Sequence, residues 1–283
     1  MASDLKTRAI LAPTMLLIVG GTYWLDLNGV LGLKEGALSA GLLALLGIAG
    51  AWEFGTLLRQ GGFAVGRKTL VVATAILLAS AFPFGWSELD HELYPLVAGT
   101  LLLLFPLALR SLGKVDMREG LERQGLTLLG FLMVGWPMYL GMGTCLRCLP
   151  SLLYVVLICK GGDIGGYCLG RLFGRTKLIP HISPGKTIEG ALGSLLASVL
   201  LAWLLAEPLL GGRIDLPVWL ALVTGVMLNF TTQTGDLIES LLKRRCGAKD
   251  SSNLLPAHGG VLDLVDSLLF SFCAWFLVLI LRT

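Results

Sequence analysis

The residues best suited to chemistry crowd into Gly235–Asp266, which reads GDLIESLLKRRCGAKDSSNLLPAHGGVLDLVD. Asp236, Glu239, Lys243, Arg244, Arg245, Lys249, Asp250, His258, Asp263 and Asp266 all fall there, in a chain that is 55% hydrophobic and only 14% charged. Ionisable groups held between apolar segments are costly and mark chemistry or transport. On a helix, Glu239, Ser240, Lys243 and Arg244 follow Asp236 at i+3, i+4, i+7 and i+8 and share its face. Asp263 begins a second such face with Asp266, Ser267 and Ser271. Between them, Pro256-Ala257-His258-Gly259-Gly260 cannot continue a helix and forces a turn that lets backbone approach a ligand. Carboxylates suit Mg²⁺, and lysine and arginine suit phosphates. Two acidic helix ends joined by a basic loop therefore point to metal-assisted chemistry on a nucleotide or polyphosphate.

Two other polar segments interrupt the apolar chain. Ser183-Pro184-Gly185-Lys186-Thr187 ends a basic connection and opens an apolar span. Lys186, the Ser183 and Thr187 hydroxyls and the free N–H groups of the new helix could hold a phosphate. The Gly-Lys-Thr run is not a P-loop, because that motif needs glycine where Pro180 stands and a preceding strand in a soluble fold. By itself the segment reads as a helix start with a solvated lysine. The other segment is Lys160-Gly161-Gly162-Asp163-Ile164-Gly165-Gly166-Tyr167. A charge at a membrane-helix centre costs roughly 2.5–3.5 kcal/mol. Lys160 and Asp163, three residues apart, should thus pair or face a cavity. An ion pair inside a packed bundle accounts for them as well as a substrate site does. Gly162, Gly166 and Gly170 form a small-residue stripe for close helix packing.

These residues resemble the signature of the phosphatidate cytidylyltransferase (CDP-diacylglycerol synthase) family. The matching positions are Gly235-Asp236-Leu237, Glu239-Ser240, Lys243-Arg244, Lys249-Asp250-Ser251, Pro256, His258-Gly259-Gly260, Asp263 and Asp266. Ser183–Thr187 with Glu189-Gly190, and Ala51-Trp52-Glu53, are similar to the family too. The family has glycine where this chain has Ala257, arginine where it has Leu264, and commonly serine where it has Ile164; Lys160 is also not expected.

The resemblance implies an enzyme that transfers CMP from CTP to phosphatidic acid, giving CDP-diacylglycerol and pyrophosphate. Because the lipid phosphate is already a nucleophile, no covalent enzyme nucleophile is needed. The protein must align two anions and neutralise the leaving pyrophosphate. It implies Asp236, Asp263 and Lys249 as catalytic residues, with Mg²⁺ on Asp236, Asp263 and Asp266 and room for a second, monovalent cation. Ser183, Lys186, Thr187, Lys243, Arg244, His258 and Asp163 would bind substrate. Partners would be CTP, phosphatidic acid and membrane lipids, without nucleic acid, and a homodimer is allowed. Three alternatives stand beside it: a degenerate member that binds lipid without catalysis, a relative acting on another lipid phosphate or alcohol, and a secondary transporter with charges in broken helices. In this reading Trp52 is an ordinary interfacial residue and Glu53 simply reaches water.

The elements that must position these groups are membrane helices. A mean hydropathy of +0.79 over 283 residues describes an all-α integral membrane protein, not a soluble domain. Nine apolar spans are expected near residues 9–25, 37–58, 69–86, 94–110, 125–145, 149–169, 188–206, 216–233 and 261–281. They make one polytopic domain, with residues 1–145 as scaffold and 146–283 carrying the site. No persuasive cleavage site follows the first span, which reads as a retained helix.

Arg59, Arg67 and Lys68; Arg110, Lys114, Arg118 and Arg123; Arg171, Arg175, Lys177 and Lys186; and Lys243–Lys249 fall in alternate connections. The intervening ones hold only Lys34, Arg147 and Arg213 as lysine or arginine. The positive-inside rule puts the basic side, and the site, in the cytoplasm, at what the resemblance implies is a bacterial inner membrane. The net charge of +3 is no more than such loops produce. Cys145 and Cys148 read as small apolar residues at a span end, with a disulfide between them open if that side is oxidising, and His91 and His181 read as exposed loop residues.

Overall fold

A computed structural model describes residues 18–82, 96–101, 103, 117–252, 254, 259–280 and 282. Among these, five helices are long and apolar enough to cross a membrane: Ala37–Gln60, Arg118–Arg147, Leu149–Phe173, Ile188–Leu210 and Val261–Ile280. They coincide with five of the spans read from the sequence. The protein is an all-α integral membrane protein with one small two-stranded sheet. Of the other spans, 69–86 is helical over Arg67–Ser80, and 216–233 belongs to a 28-residue helix, Val218–Arg245, that continues through the charged run. Residues 18–27 are helical. The rest of the first span, most of 94–110, and His91 lie outside the described residues.

The chain forms two compact units. The first comprises Met1–Arg147 and Arg245–Val265, the second Cys148–Arg244 and Asp266–Thr283. In the first unit, α1 (Ala37–Gln60), α2 (Arg67–Ser80), α3 (Met117–Gly130) and α4 (Trp136–Arg147) surround a core of Phe54, Leu57, Leu70, Leu78, Phe131 and Met138. A π-turn at Phe131–Gly135 joins α3 to α4 without breaking the helix. Asp26 caps α1 from outside it, its carboxylate accepting from the Leu38 and Ser39 N–H groups at 3.0 and 2.7 Å. Cys145 and Cys148 are buried free thiols, as small apolar residues would be.

In the second unit, α5 (Leu149–Phe173) lies against α6 (Ile188–Leu205). Their approach depends on small residues. A Cβ on Gly190 would stand 2.9 Å from Gly166 O, and one on Gly193 would stand 2.6 Å from Leu169 Cβ. The Gly162, Gly166 and Gly170 stripe of α5 is thus spent on helix contact. The opposite face of α6 turns Leu192, Leu196, Leu200 and Trp203 outward, each about half exposed or more. A water-facing stripe of that size would be unfavourable, whereas a lipid-facing one is expected. Between α5 and α6, β1 (Lys177–Ile179) pairs antiparallel with β2 (Ser183–Thr187). The last two helices are α7 (Val218–Arg245) and α8 (Val261–Ile280), which runs from the first unit into the second.

Candidate active site

Ser183–Thr187 is a β-strand, not a loop, and it delivers its residues at the start of α6. Thr187 is the N-cap, its Oγ1 accepting from Gly190 N at 3.1 Å. Glu189 then reaches back to accept from Thr176 N at 3.1 and 3.2 Å, tying the hairpin to the helix. One residue before the cap, Lys186 Nζ meets Asp236 Oδ2 of α7 at 2.5 Å.

This contact borders a cavity of about 450 Å³ whose lining includes Asp163, Tyr167, Ser183, Lys186, Thr187, Gln233 and Asp236. It belongs wholly to the second unit. The cavity therefore brings together five of the candidate site residues, Asp163, Ser183, Lys186, Thr187 and Asp236, from α5, the hairpin and α7. Its size lies within the range of small-molecule sites, about 300–1,000 Å³. Polar groups continue from its wall into the helix packing. Gln233 Nε2 donates to Asn229 Oδ1 at 2.6 Å, and Asn229 Nδ2 donates to Ser194 Oγ at 2.6 Å and Ser198 Oγ at 3.1 Å. A buried network with its donors and acceptors matched is rigid, so it fixes the α6–α7 register beside the cavity.

Beside Asp236, three carboxylates converge. Oxygens of Asp236, Glu239 and Asp266 all lie within 4.8 Å of one another. Asp236 and Glu239 sit one turn apart on α7, and Asp266 comes from α8. Glu239 is buried, and Lys243 Nζ donates to its Oε2 at 2.7 Å from one turn further on. Lys160 donates to Ser267 Oγ at 2.7 Å and stands 3.8 Å from Asp163 Oδ2. The pairing of Lys160 with Asp163 and the cavity exposure of Asp163 thus occur together. Converging, partly buried carboxylates repel each other, and a hard divalent cation is what such an oxygen set fits.

Asp263, expected in the metal set, has a different set of partners. In the first unit its Oδ2 accepts from Ser251 N, Ser251 Oγ and Gly260 N at 2.8, 2.7 and 2.7 Å. The glycines beside it are required by this fold. Gly259 has φ +87°, and a Cβ there would stand 2.6 Å from Asp263 Oδ2. A Cβ on Gly260 would collide with Ser251 Oγ and Glu53 Oε2. Lys249 and Arg244 are exposed. His258 lies outside the described residues.

Two carboxylates named in the sequence, but not placed in the site, hold positions of consequence. Glu239 completes the acidic cluster; its i+3 spacing from Asp236 was the available signal. Glu53 does not reach water. It is 4% exposed and holds the loop and the start of α8. Its Oε1 accepts from Ser252 Oγ at 2.6 Å and Val261 N at 3.0 Å, and its Oε2 from Leu262 N at 2.8 Å, while Ser251 Oγ, whose one proton points to Asp263, lies 3.1 Å away. No local pattern could announce contacts with residues 198–209 positions away. Trp52, by contrast, is half exposed and carries the Arg67 guanidinium 3.8 Å above its ring.

The family model described as the cytidylyltransferase family matches residues 6–281. A phosphatidate cytidylyltransferase of Pseudomonas aeruginosa is 35% identical over 277 residues, covering 93% of this chain and 93% of that protein. Proteins of the same name from Staphylococcus haemolyticus and Haemophilus influenzae are 44% and 43% identical over 122 and 121 residues. Those two matches cover 43% and 41% of this chain and 46% and 41% of the relatives' own length. With nearly its whole length accounted for by the family model, this chain is a member of the cytidylyltransferase family.

Proposed function

We propose that this protein transfers the cytidylyl group of CTP to phosphatidic acid, forming CDP-diacylglycerol and pyrophosphate. The observation that carries the reading is the adjacency of the Ser183–Thr187 cavity and the Asp236–Glu239–Asp266 cluster. The cavity offers a lysine, two hydroxyls and the start of a helix to an anion, and the cluster offers hard oxygen ligands beside it. Mg²⁺ held by Asp236, Glu239 and Asp266 would neutralise negative charge on the triphosphate and on the leaving pyrophosphate. A monovalent ion has no separate support among the described residues.

The roles of the side chains follow. Lys186, Ser183 and Thr187 orient the nucleotide phosphates. Asp163, on the cavity wall, is placed to contact substrate. Lys243 compensates the buried Glu239 charge and acts on nucleotide through it. Asp263 shapes the loop that carries Lys249 and His258, and it precedes Asp266 by one turn of the same helix. Arg244 and His258 remain candidates for phosphate contact, and Lys249 for a catalytic role, on sequence grounds. Lys160, which donates to Ser267 next to Asp266, supplies a cation in a chain where the family's arginine is replaced by Leu264.

The lipid phosphate attacks the α-phosphorus of CTP, the bond to the β-phosphate oxygen breaks, and pyrophosphate leaves with that electron pair. Purified protein with labelled CTP, Mg²⁺ and phosphatidic acid should yield one labelled liponucleotide per pyrophosphate released. Lysophosphatidic acid and a lipid alcohol serve as separate arms. Product only in one of those arms would move the assignment to another lipid acceptor. No product in any arm would favour a member without catalysis.

The charge asymmetry supports a site facing the cytoplasm of a bacterial inner membrane. Single cysteines placed at Arg118, Lys177 and Lys249 should resist impermeant thiol reagents in intact cells, whereas cysteines at Asp90 and Asp215 should react. The reverse pattern would put the site on the side without CTP.

A further inference from the structure

We propose that Lys186 is a counter-ion switch: its ammonium occupies Asp236 when no metal is bound and turns to the phosphates of the nucleotide when a divalent cation takes its place. The inference rests on the metal reading above and goes beyond it by coupling the two binding events.

Four observations carry it. Lys186 Nζ is in direct contact with Asp236 Oδ2, and Asp236 is a member of the converging carboxylate set. Both residues line the cavity, so the ammonium stands on the boundary between the cluster and the space for the anion. The pair is partly open, with the two side chains 27% and 36% exposed, so the lysine has room to leave. Lys186 is also fixed at its root rather than its tip. It sits in β2, immediately before the Thr187 cap, while its flexible stem is the part that reaches Asp236.

A lysine ammonium and a divalent cation held on one carboxylate repel each other strongly, because they are like charges a few ångströms apart. Lys186 compensates Asp236 and Lys243 compensates Glu239. Metal entry expels a positive charge toward the cavity, where a triphosphate needs one. Metal and nucleotide should bind with positive coupling through Lys186, and coupling of this kind is typically about 5–150-fold.

The test uses the full chain in nanodiscs, without turnover. Mn²⁺ binding is followed by electron paramagnetic resonance, and the reactivity of the Lys186 amine with a small acylating reagent by peptide mass spectrometry. In the native protein, Mn²⁺ alone should raise Lys186 acylation severalfold, and a non-hydrolysable CTP analogue should then protect it. Lys186→Met keeps much of the stem but removes the charge, so it should bind Mn²⁺ about tenfold more tightly than the native protein in the absence of nucleotide. Asp236→Asn should show high Lys186 acylation with or without metal. If the native protein binds Mn²⁺ but Lys186→Met has the same or lower affinity, or acylation ignores Mn²⁺, the switch is wrong while the metal site stands. If the native protein binds no Mn²⁺, both readings fail.

Discussion

Asp236→Asn should reduce cytidylyl transfer by about a thousandfold, the scale expected when a charge that stabilises the transition state is lost. The protein should remain folded and inserted in the membrane. Asp236 touches both halves of the proposed site: its carboxylate belongs to the acidic cluster, and its Oδ2 holds Lys186 at the cavity edge. Asparagine preserves the shape but cannot match the charge that a divalent cation needs. It also releases Lys186 from its ion pair, so ground-state nucleotide binding should fall far less than turnover. Steady-state kinetics with CTP, together with Mg²⁺ titration, would separate the two. Asp266→Asn should behave similarly, because it removes another charge from the same cluster. Asp263→Asn should cost much less, since one carbonyl oxygen can still accept from Ser251 and Gly260. Near-native turnover in Asp236→Asn with unchanged Mg²⁺ dependence would reduce Asp236 to a structural partner of Lys186. An Asp263→Asn loss as deep as that of Asp236→Asn would return Asp263 to the metal set.

Glu53→Ala should have the largest effect on stability, lowering the melting temperature of the solubilised protein by about 10 °C. The carboxylate accepts from two backbone N–H groups at the start of α8 and from the Ser252 hydroxyl. Each buried donor left without a partner costs about 1–3 kcal/mol, and removing the carboxylate orphans several at once. The local consequence should be a loosened segment from Ser251 to Val261, readable as faster hydrogen exchange there than in α1 and α2. Glu53→Gln is the sharper comparison. It retains one acceptor oxygen but turns an NH₂ group toward donors, so it should recover only part of the lost stability. An alanine variant with native melting temperature and native exchange would show that the loop holds its shape without Glu53.

The membrane class and the positions of five of the nine expected spans were legible in the chain alone, because hydropathy and span length are local properties that the bilayer reads directly. So was a candidate place for the chemistry. A run as charged as Gly235–Asp266 in so apolar a chain points to catalysis or transport, and the long motif shared with the family narrowed that choice to a cytidylyltransferase. The periodicity on α7 could be read too, since Asp236, Glu239 and Lys243 lie on one face of any helix through them. What those side chains face depended on the packing of the folded chain. Asp236 could have paired with Lys243 along its own helix. Instead Lys243 turns to Glu239, and Asp236 takes Lys186 from the hairpin ahead of α6. Asp263 and Asp266 share α8, yet one holds the loop and the other joins the acidic cluster. Spacing on a helix sets which side chains are neighbours on that helix. It carries no information about the partner brought against them, since that depends on how closely other helices approach. For α5, the Gly162, Gly166 and Gly170 stripe announced that some helix comes close, but a stripe of missing side chains does not say that the helix is α6.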